Sequence, residues 1–87
     1  MSKFRRAARI DENQPKIVLE LRRLGISVQT GMDDILVGYK GVTYWIEIKT
    51  GPKATIKPSQ VELLDNWGGQ YHIAWSTEMI LNIIGYN

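Results

Sequence analysis

Apolar positions recur along the chain with two periods, and each change of period marks an element. Over 13–25, Ile17, Val18, Leu21 and Leu24 form one stripe at helical spacing. Pro15 suits a first helical turn, where its missing N–H costs nothing, so the helix is predicted to begin at Asn13 or Gln14 and to end at Gly25. ISVQT (26–30) alternates as a short strand, and GMDD (31–34) reads as a turn. ILVGY (35–39) and VTYWIEIK (42–49) are the two strongest strand patterns. Gly51 and Pro52 break 50–57 into a loop. Pro58 opens a second helix, PSQVELLDNW, stopped by Gly68 and Gly69. YHIAW (71–75) is a fourth strand, and Ser76 or Thr77 caps a last helix closed by Gly85. The order α-β-β-β-α-β-α implies an α/β domain, a mixed central sheet flanked by helices.

The two central strands are separated only by Lys40 and Gly41, so a tight hairpin is expected. A two-residue loop sets Tyr39 opposite Val42, Val37 opposite Tyr44, Ile35 opposite Ile46 and, one step on, Asp34 opposite Glu47. Ile35, Val37, Tyr39, Val42, Tyr44, Ile46 and Ile48 then share a core face, and Asp34, Leu36, Trp45, Glu47 and Lys49 share the other. A three-residue loop with a bulge would bring Asp33 opposite Glu47 instead. Parity favours Asp34, because Asp33 would lie on the core face.

Directly opposed carboxylates destabilise a strand pair. Protonation of one acid relieves them, and so does a divalent cation between them. Mg²⁺ takes one or two carboxylates plus waters and a substrate phosphate. With Lys49 two residues beyond Glu47, the set suits phosphodiester hydrolysis: a cation that polarises phosphate and activates water, and an ammonium that orients that water or stabilises charge. The competing reading is a pair of turn aspartates and a solvated strand face with a weak Glu47–Lys49 ion pair.

Composition narrows the alternatives. Eighty-seven residues make one domain, 1–87, which buries only roughly 60–65% of its unfolded surface, so oligomerisation would add stability. There are no cysteines. That excludes disulfides, thiolate zinc sites and cysteine nucleophiles, and it suits a reducing cytosol. His72, the single histidine, cannot form a histidine metal cluster, and nothing places it near the carboxylates. No apolar run approaches a membrane span, and MSKFRRAARI lacks the apolar stretch of a signal peptide. The net charge is only +2, but Lys3, Arg5, Arg6 and Arg9 crowd the first nine residues. This basic arm (1–10) reads either as a phosphate-binding segment or as a solvated terminus.

DDILVGYKGVTYWIEIKTG resembles the PD-(D/E)xK nuclease signature, specifically that of the small stand-alone VRR-NUC domains of phage, and is similar to the Holliday-junction resolvases over the same hairpin. The likeness extends to DENQPKIVLELRRLGISV and to KPSQVELLDNWGGQYHIAWSTEMIL, nearly the whole chain. It departs from the motif at Asp33, where the family has proline, and on the first helix, where the family often has an acid. The resemblance implies a restriction-endonuclease-like core. Asp34, Glu47 and the Ile48 carbonyl would be metal ligands for Mg²⁺ or Mn²⁺, and Lys49 the catalytic lysine. Gln14 would stand in for the first-helix carboxylate, with Asp11 or Glu12 nearby, and Gln60 would be an accessory residue on the second helix. Arg5, Arg6, Arg9, Lys53 and Lys57 would contact DNA, with Arg22 and Arg23 as further backbone contacts.

The implied activity is that of a metal-dependent DNA endonuclease, structure-selective on branched or four-way-junction DNA. The chain has no base-reading module, so recognition by shape and phosphate contacts is the simpler expectation. Symmetric cutting of two strands needs two active sites, which a homodimer supplies; Trp45, Trp67, Ile83, Ile84 and Tyr86 are the candidate interface residues. Trp67 and Trp75 read as core or interface rather than base-stacking platforms. The resemblance points to a phage source and so to the cytoplasm of a host. The rival reading is a DNA-binding or assembly module that keeps the fold without the chemistry.

Overall fold

The computed structural model describes residues 12–31 and 34–86. The basic arm with Arg5, Arg6 and Arg9, and also Asp11 and Asp33, lie outside the described residues. The elements run α1 (Gln14–Arg23), β1 (Ser27–Thr30), β2 (Asp34–Tyr39), β3 (Val42–Ile48), α2 (Pro58–Asn66), β4 (Gln70–Ala74) and α3 (Thr77–Ile84). The strand order is β1-β2-β3-β4. β1/β2 and β2/β3 are antiparallel, and β4 joins β3 in parallel after the crossover through α2. The result is a compact α/β domain with a four-stranded mixed sheet.

The hairpin turns on Lys40 and Gly41, with φ of 52° and 81°. Two positive φ values are the signature of a type I′ turn, whose twist matches that of the flanking strands. Lysine pays a steric penalty there that glycine does not. The register is the two-residue one: Tyr39 opposite Val42, Ile35 opposite Ile46, Asp34 opposite Glu47.

One face of the sheet carries the core. Ile35, Val37, Ile46 and Ile48 are buried there with Val28 and Ala74, under Ile17, Val18 and Leu21 of α1 and Ile80 and Ile84 of α3. Three residues depart from expectation. Leu24 is 43% exposed, because it is the C-cap of α1 and the stripe ends at Leu21. Val42 is exposed, since it closes the hairpin beyond the reach of the covering helices. Ile84 belongs to the core and is not a surface interface residue. Ile83 and Tyr86 also pack against the core, Tyr86 with its ring 5.7 Å from that of Tyr39.

The other face is covered near β4 by aromatics. Trp45 meets the rings of Tyr71 and Trp67 edge-on, at centroid distances of 4.9 and 5.1 Å. Ser76, not Thr77, caps α3, its Oγ accepting from Met79 N at 3.2 Å. No helix among the described residues is long and apolar enough to cross a membrane.

Candidate metal and phosphate site

The hairpin fixes more than a shared face for Asp34 and Glu47. In an antiparallel pair, opposed residues alternate between hydrogen-bonded pairs and closer, non-hydrogen-bonded ones. The Asp34 carbonyl accepts from Gly31 N at 2.8 Å, on the β1 side, and Lys49 N donates to the Ala74 carbonyl at 2.9 Å, on the β4 side. Counting back two residues, Glu47 also turns its backbone toward β4. Asp34 and Glu47 therefore form a non-hydrogen-bonded pair, the kind whose side chains approach most closely, with Cα atoms roughly 4.5 Å apart. By the same alternation the Ile48 carbonyl points toward β2, and β2 begins only at Asp34.

Glu47 is 5% exposed and Lys49 9%. The solvated-face reading of these two residues is thereby overturned. β3 is an interior strand, and its polar face lies beneath other elements. Asp34 is half-buried. Its Oδ2 accepts a 2.9 Å hydrogen bond from the indole Nε1 of Trp45. Trp45 is thereby tied to Asp34.

The start of α1 is tied to the same end of the sheet. Asn13 Nδ2 donates to the carbonyls of Lys49 (2.9 Å) and Trp75 (3.1 Å), joining the ends of β3 and β4. Gln14 is 2% exposed, and its Oε1 is buried with no hydrogen-bond partner among the described residues. It lines a groove of about 480 Å³ with Thr30 and Gly31, and those two residues also line a separate groove with Asp34 and Trp45. Glu12 is exposed.

Gln60 is buried rather than solvent-facing, and its Oε1 accepts from Lys57 N at 2.9 Å at the start of α2. That oxygen is a helix cap. Lys53 and Lys57 are exposed on the loop after Lys49. Arg22 Nη2 donates to the Val28 carbonyl at 3.0 Å. His72 pairs with Gln70 and lies opposite Ile46, on the core-face side of the sheet.

The donor set fits a small hard cation. Two opposed carboxylates and a backbone carbonyl turned toward β2 are oxygen donors of the kind such a cation takes, and the buried Gln14 Oε1 at the start of α1 is of the same kind. Among the described residues no group of three or more His, Cys, Asp or Glu side chains gathers, so a cation here would keep waters or take substrate oxygens, as Mg²⁺ does.

Sequence reasoning missed Asn13, Gly31 and the bond from Trp45. Trp45 had a signal: it shares the polar face with Asp34 and is its diagonal cross-strand neighbour, within reach of a large aromatic. Asn13 had none, because its partners lie 36 and 62 residues away. Comparison with protein-family models, with curated proteins and with solved structures finds no match for the chain.

Proposed function

We propose that the protein is a Mg²⁺- or Mn²⁺-dependent endodeoxyribonuclease of the PD-(D/E)xK type, a stand-alone VRR-NUC domain with a restriction-endonuclease-like core. The observation that carries this reading is the register: Asp34 opposite Glu47 in a non-hydrogen-bonded pair, with the buried Lys49 just past the end of β3. The element order α-β-β-β-α-β-α supports the core assignment.

In this reading Asp34, Glu47 and the Ile48 carbonyl hold the cation, and Gln14 Oε1 supplies a further oxygen in place of a carboxylate. When bound, the cation neutralises a phosphate oxygen and lowers the pKa of a coordinated water. Lys49 stands roughly 6.6 Å along the strand from Glu47. Its ammonium, largely withdrawn from solvent, orients the attacking water or stabilises charge on the phosphate oxygens. Lys53 and Lys57, exposed on the loop that follows Lys49, would track the DNA backbone, contacts that carry no sequence information. Branched or four-way-junction DNA is the proposed substrate, and a homodimer the proposed assembly, because one chain offers one such site.

The test is cleavage of a labelled four-way junction with Mg²⁺ or Mn²⁺ by the wild type and by Lys49→Ala. Cleavage lost in the variant and retained in the wild type supports the reading. Equal cleavage by both sinks it, and binding without cleavage by the wild type favours the DNA-binding module.

A further inference from the structure

The Asp34 carboxylate is constrained from two sides. Trp45 Nε1 donates to Oδ2 at 2.9 Å, and the indole is itself held edge-on by Trp67 and Tyr71. The second constraint is Gly31. A Cβ added there would collide with Asp34 Oδ1. Gly31 is not among the glycines with positive φ, so its backbone does not require glycine. What requires it is the space Oδ1 occupies. One oxygen is thus bonded to the indole, and the other sits where a side chain would have been.

We infer that Trp45 and Gly31 are positioning residues that select one rotamer of Asp34 and thereby set how its carboxylate meets the cation. This inference rests on the nuclease reading. The indole N–H holds Oδ2 and keeps the carboxylate from swinging. The missing Cβ at Gly31 leaves the space that Oδ1 occupies. Neither residue touches the cation or the substrate; both act through Asp34.

Mn²⁺ binding to the full chain is measured for the wild type, Trp45→Phe and Gly31→Ala, with a thermal melt of each without metal. Trp45→Phe keeps a ring against Trp67 and Tyr71 while removing the donor and part of the indole's volume, a packing cost that the thermal melt reads. Loss of a group that orients a metal ligand weakens affinity by about 10- to 100-fold, and both variants should show that loss while remaining folded. A second measurement needs no folded variant at the site. Of the three indole N–H resonances, one for each tryptophan, that of Trp45 should shift saturably as Mg²⁺ is added to the wild type. Trp67→Phe and Trp75→Phe complete its assignment. Wild-type Mn²⁺ binding with unchanged affinity in both variants overturns the inference alone, as does a Trp45 resonance that Mg²⁺ leaves in place. Absence of Mn²⁺ binding by the wild type overturns the nuclease reading and the inference together.

Discussion

The opposed carboxylates make a stability prediction whose sign depends on metal. Without a cation, Asp34 and Glu47 repel to the extent that both are ionised. Two unit charges ~5 Å apart at an effective dielectric of about 20 cost about 3 kcal/mol. Asp34 is partly exposed, and solvent screening together with the Lys49 charge reduces this to roughly 1 kcal/mol, the upper end of cross-strand pair energies. Asp34→Asn removes the repulsion and keeps an oxygen that can accept from Trp45. In chelator the variant should therefore be the more stable protein by about 1 kcal/mol, or about 4–8 °C in Tm for a domain of this size. With cation at ~100 times its Kd the wild type gains about 2.7 kcal/mol by mass action. The variant, lacking a ligand, gains far less, and the order reverses. Urea titrations with chelator and with Mg²⁺ read both halves. A variant no more stable than wild type in chelator refutes the repulsive pair. Equal stabilisation of both proteins by Mg²⁺ refutes Asp34 as a ligand.

Lys40→Asn relieves a lysine held at positive φ and should raise stability by about 0.5–1 kcal/mol in a urea titration, with junction cleavage unchanged. Asn13→Ala strips the side-chain donor from two carbonyls and should cost about 1–3 kcal/mol. Because those carbonyls end β3 and β4 beside the site, hydrogen exchange at Lys49 should also rise; an unchanged rate would show that Asn13 does not hold this end of the sheet. Gln60→Ala removes a cap and should lower stability by about 1 kcal/mol. Cleavage retained when corrected for folded fraction identifies Gln60 as structural, and a disproportionate loss gives it a part in the chemistry.

What the sequence showed of this site follows from the range of each interaction. The pairing of Asp34 with Glu47 was legible because a two-residue turn and a period of two leave one register that buries Ile35, Val37, Ile46 and Ile48. Nothing local foretold that Glu47 and Lys49 would be buried as well. That depends on β4 docking in parallel beside β3, which seats Tyr71 next to Trp45 and leads from the end of α2, where Trp67 covers the same ring. The helical stripe overran at Leu24 because periodicity does not see a C-cap.

The same distinction separates the parts of the site by origin. The hairpin alone brings together the two carboxylates, the lysine and, diagonally, the indole that bonds Asp34. α1 supplies Asn13 and Gln14 only after its N-terminus docks on the ends of β3 and β4. A charged cluster that local turn chemistry assembles, and that distant elements then bury, is opposed by its loss of hydration as the fold closes. Cation binding would remove that opposition, so metal should raise the protection of the hairpin's closing residues more than that of the α1–α3 core.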